Sequence, residues 1–283
     1  MGASEGLLVQ IMLFFAFIVL ANFITVHALF GGLSAKKPAS TGGKKIVVLG
    51  GTGFVGSRIT QKLSESGNKV IAISRSGEIP KWAETYDFVN NVEWVAGDVN
   101  DAAAMQKVMR GATSVVSAVG AIGFDEERVR TGNGDSNVAA INSAKKAGVK
   151  NFVYVSVASL VKEAFGDKVL TPYFEGKEMS EAALAKNFPS SGTVVGPSFI
   201  YGGDGFNLSP PRVPDGYGSF INKILSTGAI RKLASASPAP LAVVLAPPVS
   251  VTAVAGAAAA AATGKSVGKR IDGTDDIVAA AEL

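Results

Sequence analysis

The chain has no cysteine, which excludes disulfides, thiolate metal sites and cysteine nucleophiles. Its one histidine, His27, lies in an apolar N-terminal segment, so catalysis in the folded part must proceed without imidazole. No metal-ligand pattern stands out, and none is expected to be bound. Charge is scarce as well. Asp, Glu, Lys and Arg make up 18% of the 283 residues against 47% hydrophobic, a balance that suits a globular core and not a disordered chain. The formal net charge is a modest +4, and the lysines and arginines are scattered among acids with no sustained basic stripe. Nucleic acid is therefore not an expected partner. The length suits one α/β domain with a short appendage.

That appendage comes first. Leu7 to Phe30, LLVQIMLFFAFIVLANFITVHALF, runs 24 residues without a formal charge, and about 20 apolar residues cross a bilayer as a helix. A buried core helix would keep a polar face, and this run has none. Two readings stay open. One is a permanent anchor, with Lys36, Lys37, Lys44 and Lys45 on the cytoplasm-like side. The other is a cleavable signal, because VHA before Leu29 has the small-x-small form of a cleavage site. The run is long for a signal, MGASEG lacks lysine and arginine, and Glu5 argues against an ordinary mitochondrial presequence. Myristoylation is not expected, since Gly6 stands where Ser or Thr is needed. GGLSAKKPASTGGKK then reads as a linker or a transit-like stretch. The expectation is an N-terminal hydrophobic helix and linker over 1–43 and a folded domain over 44–283. The protein would be membrane-associated or sit in an organelle, plastid or mitochondrion.

From Lys44 onward strand-like and helix-like segments alternate. KKIVVLG is a continuous apolar run, the pattern of a strand buried on both faces. Val55, Ile59 and Leu63 then recur every four residues with Arg58 and Lys62 between them, one face of a helix. Further strands are expected at 68–74, 92–98, 112–120, 151–156 and 191–197, with helices over 101–111, 133–148 and 172–186. Such alternation predicts an α/β fold with a parallel, doubly wound Rossmann sheet. Between Ser198 and Pro248 it breaks up, and nine of the twelve prolines fall between Pro189 and Pro248. A small substrate-side lobe is expected there. VSVTAVAGAAAAAATG predicts an alanine-rich, tightly packed helix, and KRIDGTDDIVAAAEL a closing strand and helix.

Four glycines, Gly50, Gly51, Gly53 and Gly56, follow the first strand directly. In a dinucleotide turn Gly50 permits the sharp bend, Gly53 lets backbone approach a pyrophosphate, and Gly56 lets helix and strand pack closely. The helix that follows aims free N–H groups and the positive end of its dipole at the phosphates. A tight strand–helix turn is the bland alternative, and the flanking strand and helix favour the nucleotide. At the end of the second strand, IAISRSG has Ser74 where an NAD binder carries an acid and Arg75 where a 2′-phosphate is met. NADP(H) is expected over NAD(H). Asp98 is an adenine-side candidate, and the backbone of SAVGAIG (117–123) is expected to run along the cofactor.

The markers GGTGFVG (50–56), GD (97–98), SNVAAINSAKKAGVKNFVYVS (136–156), YFEGK (173–177), GPSFIYG (196–202) and PPVSVTAVA (247–255) cover the chain from about Lys44 to its end. On these, the chain resembles the short-chain dehydrogenase/reductase superfamily in its extended and atypical branches. The atypical group includes the Rossmann-type accessory subunit of respiratory complex I, fungal proteins linked to coenzyme Q synthesis and organellar plant relatives. The resemblance implies that Tyr173 is the proton donor or acceptor. It gives Lys177, four residues on, the task of holding the nicotinamide ribose and lowering the tyrosine's pKa. It implies cofactor contacts at Gly50, Thr52, Gly53, Phe54, Val55, Gly56, Ser74, Arg75, Asp98, Val119, Gly120, Ser156, Lys177 and Pro197.

The departures bear on turnover. Register with extended members puts their catalytic Ser/Thr at Val157, with Ser156 one position early and Ser159 not expected to replace it. Gly196 stands where an arginine often precedes the proline, and Ala253 where an acid is usual. Loss of the serine hydroxyl costs about 10²-fold or more in rate. Two functions are expected on these grounds. One is a reductase of a lipophilic carbonyl or quinone-related compound. The other is a nucleotide-binding structural or regulatory subunit of a membrane complex, of the complex I or quinone-synthesis type.

Overall fold

A computed structural model describes residues 43–123, 125–166, 170–203, 207–208, 211–212, 214–265 and 267–283. The expected N-terminal hydrophobic helix lies outside the described residues. Among those described, no helix is long and apolar enough to cross a membrane.

The first half winds as β1 (Lys45–Leu49), α1 (Phe54–Glu65), β2 (Lys69–Ser74), β3 (Val92–Ala96), α2 (Ala102–Met109) and β4 (Ser114–Ser117). It continues through α3 (Glu126–Asn133), α4 (Asp135–Lys146), β5 (Asn151–Val155), α5 (Ser159–Phe165), α6 (Thr171–Asn187) and β6 (Gly192–Gly196). The proline-rich stretch holds three two-residue strands, β7 (Ile200–Tyr201), β8 (Asn207–Leu208) and β9 (Pro211–Arg212). Three short helices follow, α7 (Asp215–Leu225), α8 (Gly228–Ser235) and α9 (Ala239–Leu245). The chain closes with β10 (Val249–Ser250), α10 (Val251–Ala262), β11 (Arg270–Asp272) and α11 (Gly273–Ala281).

Seven strands form one sheet in the order β11-β6-β5-β4-β1-β2-β3, and every pairing in it is parallel. The winding reverses between β1 and β4, the switch point at which open α/β sheets bind ligands. Alternate residues of β1 feed opposite faces. Ile46 and Val48 pack with Ile59 and Leu63 of α1, Val254 and Ala258 of α10 and Ile277 of α11. Val47 and Leu49 pack with Met105 of α2, Ile141 of α4 and Leu184 of α6. Burial on both faces is why the strand reads as an unbroken apolar run.

Alanine in α10 serves close packing. Ten of its twelve residues are buried, and a Cβ at Gly256 would stand 2.8 Å from that of Ala281. Its last carbonyls are satisfied from the sheet: Ser114 donates to Ala262 at 2.6 Å and Asn151 to Ala261 at 2.8 Å.

One element was not expected. The helix expected over 133–148 is α4, and α3 precedes it, the chain turning between them at Gly134, whose φ of −106° and ψ of −86° are not helical. The turn admits α6. A Cβ at Gly176 would meet the Arg130 carbonyl, the Asn133 Cβ and the Gly134 nitrogen, all at 2.9 Å. Backbone thus touches backbone where α6 crosses the α3–α4 elbow. A second difference is α5, which the sequence pattern did not announce. We expect Gly176→Val to lower stability by about 3 kcal/mol or more, since three rigid neighbours must shift. Chemical denaturation measures this, and an unchanged midpoint would show that the crossing is loose.

Candidate functional site

The expected site residues gather at one edge of the sheet, beyond the C-terminal ends of its strands. Gly50 has φ +72°, a left-handed turn that a side chain resists. A Cβ at Gly56 would stand 2.1 Å from the Gly50 carbonyl oxygen, so only glycine lets α1 start so close to β1. Gly53 differs. It is exposed, and a Cβ there would meet only the Gly50 carbonyl, at 3.2 Å. Space above it belongs to whatever binds. No side chain caps α1, so the first-turn amides, those of Val55 and Gly56 among them, have no partner within the helix. Thr52, Phe54 and Val55 are half-buried around this turn.

Beside it, β1 and β2 pair with Leu49 opposite Ile73, which brings Ser74 and Arg75 next to the glycine turn. Ser74 accepts from the Gly77 amide at 2.9 Å and shapes its own turn, while Arg75 is exposed. Asp98, exposed past β3, accepts from the amide and the side chain of Asn100, at 2.9 and 3.0 Å. Past β4, the Val119 carbonyl accepts from Asn137 at 3.2 Å, and Gly120 is exposed. Pro197, past β6, is buried, and its carbonyl takes the Ala158 amide at 2.9 Å.

α6 presents Tyr173, Lys177 and Glu181 at four-residue intervals, hence on one face. Lys177 is buried. Its Nζ donates to the Val155 carbonyl at 3.0 Å and lies 4.9 Å from the Tyr154 ring centroid and 5.5 Å from that of Tyr173. Burial lowers its pKa from the ordinary 10.5 to about 8, with Glu181 opposing the shift. Tyr173 behaves otherwise than the resemblance implies. Burial pushes its pKa up and Glu181 adds to the rise, so the phenol keeps its proton at neutral pH. Desolvation is the larger cause and the Glu181 carboxylate the smaller.

Ser156 is buried, and its hydroxyl donates to Glu181 at 2.5 Å. The other Glu181 oxygen takes Arg270 at 3.0 Å. Arg270 also donates to Asp272 at 3.0 Å and to the Val157 carbonyl at 2.8 Å, and Asp272 accepts the Ser159 amide at 3.1 Å. Thus Ser159 starts α5 with its amide held by Asp272. Val157 is buried and contributes none. Arg270 fills the room beside Gly196, where a Cβ would stand 3.2 Å from its guanidinium. The arginine missing from β6 is in this sense supplied by β11. Ala253 lies in the first turn of α10, its amide donating to Ser250.

Glu181 and Arg270 were not singled out by sequence. The spacing from Lys177 could have pointed to Glu181; nothing local points to Arg270. A third is Asn133. Its Oδ1 is buried without a hydrogen-bond partner among the described residues. A Cβ at Gly120 would stand 2.9 Å from it and 3.7 Å from Lys177 Nζ. An unmet acceptor, a buried cation and a glycine turn open above Gly53 face the same strand ends. The residues present fit a dinucleotide.

A doubly wound parallel sheet with this turn at its switch point defines a dinucleotide-binding Rossmann protein. Residues 50–206 match the NAD(P)H-binding family, and the chain belongs to it. A chloroplastic protein of Arabidopsis thaliana is 39% identical over 211 residues, 74% of this chain and 68% of the relative. MIOREX complex component 2 of Saccharomyces cerevisiae is 35% identical over 89 residues, 31% of this chain and 32% of the relative. Among solved structures, the UDP-N-acetylglucosamine 4-epimerase from Methanobrevibacter ruminantium M1 aligns with a TM-score of 0.58. That match covers 82% of this chain and 76% of the epimerase at 17% identity, a likeness of fold.

The lowered pKa of Lys177 makes a test. Below pH 8 the amine is charged in folded and unfolded chains alike, so folding carries the full cost of burying it. Between about 8 and 10.5 the folded chain has released the proton while the unfolded chain still holds it, so this group's contribution to stability rises with pH. We expect Lys177→Met to melt a few degrees higher than the unmutated protein at pH 7. The gap should narrow toward pH 10, and NAD(P)H affinity should fall. A variant that melts lower at pH 7 would mean the buried amine stabilises the fold.

Proposed function

We propose that the protein is an organellar, membrane-associated NADP(H)-dependent reductase of a lipophilic carbonyl or quinone-related compound. Tyr173 donates the proton and Lys177 holds the nicotinamide ribose. Bound NADPH would supply the hydride; the chain supplies position, charge and the proton. The observation that carries this reading is the α6 face, where a protonated phenol and a buried amine stand one turn apart beside Gly120. Residues 198–248 would form the substrate side, since they follow directly on Pro197. Residues 1–43 would be the targeting segment or anchor, and the chloroplastic relative supports an organelle.

A second reading has its own observation. Ser156 spends its hydroxyl on Glu181 and Val157 has none, so neither position after β5 offers Tyr173 a partner hydroxyl for a substrate oxygen. On that ground the protein is a nucleotide-holding subunit of a membrane complex, with turnover slow or absent. The component of a named complex among its relatives agrees with such a role.

Exposed Arg75 favours NADP(H) over NAD(H). A charge-assisted contact to a 2′-phosphate contributes roughly 1.5–3 kcal/mol, so NADPH should bind at least tenfold tighter than NADH. Arg75→Ala should erase that preference; equal affinities in the unmutated protein would sink the assignment.

Rescue of a deletion strain separates the two functions. Gly53→Val puts a branched side chain where the pyrophosphate would lie, with its Cβ 3.2 Å from the Gly50 carbonyl, so it should fail under both, and an unchanged melting temperature shows that the fold has survived. Tyr173→Phe removes the proton and slows a reductase by about 10²-fold or more. Failure of Tyr173→Phe supports the reductase and its success the subunit. Success of Gly53→Val would show that nucleotide is dispensable.

A further inference from the structure

Opposite the nucleotide site lies a second charged surface. All strands of the main sheet start at that edge, and the crossover helices end there. Two recesses open on it. One, of about 390 Å³, lies at the starts of β4, β5 and β6 beside the end of α10, and its lining includes Lys44, Lys150, Lys265 and Lys269. The other, at the starts of β1 and β2, includes Lys45, Lys69 and Lys107. Against these seven lysines, Glu93 is the one acid lining either recess among the described residues.

None of the seven forms a salt bridge among the described residues. Lys44 donates to the Thr263 carbonyl, and Lys45 to those of Val108 and Arg110, at 2.9 and 2.8 Å. These bonds leave the charges unneutralised. Lys45 and Lys69 are even paired across neighbouring strands, an arrangement that like charges disfavour. Lysines in last helical turns, such as Lys62, Lys107 and Lys186, answer the helix dipoles. Lys44 and Lys45 meet helix ends too, those of α10 and α2, whereas Lys69, Lys150 and Lys269 at the other strand starts make no side-chain hydrogen bond among the described residues. Scattered in sequence, the lysines are gathered in space.

We propose that this basic edge docks on an anionic membrane leaflet, with residues 7–30 engaging the bilayer. The proposal rests on the membrane reading of that segment. The uncharged run ends at Phe30, and the chain enters the fold at Lys44, on this edge. Residues 31–43 reach at most roughly 45 Å, so whatever holds the run lies near the lysines. Lysine, a compact cation on a flexible stem, suits a diffuse layer of headgroup phosphates. Nucleic acid is the competing polyanion. The described lining of the two recesses holds no aromatic ring to stack on a base and no arginine to grip one. Docked this way, the nucleotide site faces water from the far ends of the strands.

The full chain is mixed with phosphatidylglycerol or phosphatidylcholine vesicles. Flotation and the acetylation rate of each lysine are then measured. Phosphatidylglycerol should slow acetylation of Lys69, Lys150, Lys265 and Lys269 about fivefold relative to phosphatidylcholine, leave Lys223 of α7 unchanged, and lose its effect in about 0.5 M salt. The K150E/K265E/K269E variant should lose the protection at Lys69 and bind NADPH as before. Equal rates on the two vesicles overturn the proposal. Flotation on both without protection overturns the docking edge and keeps residues 7–30 as an anchor. Protection on phosphatidylglycerol by a chain that does not float on phosphatidylcholine keeps the edge and overturns the anchor. Stronger protection by an RNA duplex at matched phosphate overturns the membrane as the occupant.

Discussion

Parallel hydrogen-bond ladders give every strand of the main sheet the same direction, and much else follows from that constraint. Each strand needs a crossover before the next can pair, so helices cover both faces and strands become apolar throughout. Strand ends of one kind are collected at each edge. The glycine turn, Arg75, Gly120, Ser156 and Pro197 come from segments up to 147 positions apart, yet all follow a strand and so share an edge. The lysines at 44, 150 and 269 each precede a strand and Lys69 begins one, and so they share the other.

Within the site, α6 sets the electrostatics. Its position depends on contact between Gly176 and the α3–α4 elbow, which brings Lys177 under the end of β5. Burial lowers the pKa of the amine while Glu181 opposes the shift, and desolvation, helped by the same carboxylate, raises that of Tyr173. Glu181 is held in turn by Arg270 and by Ser156. The price of that arrangement is the serine hydroxyl, which points into the network and not toward a substrate.

How much of this was legible depends on how local each signal is. The glycine turn, the apolar strands and the Tyr173–Lys177 spacing each lie within one turn or one element, and the sequence shows them at the positions where the fold uses them. The α3–α4 elbow at Gly134 was hidden because the contact it serves, at Gly176, comes from a helix three elements beyond α4. Arg270 was hidden because its partner Glu181 is 89 positions away; the missing arginine at Gly196 was visible, its replacement was not. The basic edge was hidden for a related reason. No two of its recess lysines are neighbours in sequence except Lys44 and Lys45, and only the parallel sheet adds them together.

The two edges also constrain the chemistry. Five-residue strands separate the lysines from the nucleotide turn by about 17 Å. With the basic edge on a leaflet, a compound dissolved in the bilayer has no direct path to Tyr173. It must leave the membrane or be handed over by a partner. A reductase of lipophilic compounds so oriented needs a delivering protein, whereas a nucleotide-holding subunit needs only a partner to which its water-facing edge is presented. Both functions then require a second protein above the strand ends. They differ in whether that protein passes a substrate to Tyr173 or reads whether the nucleotide is there.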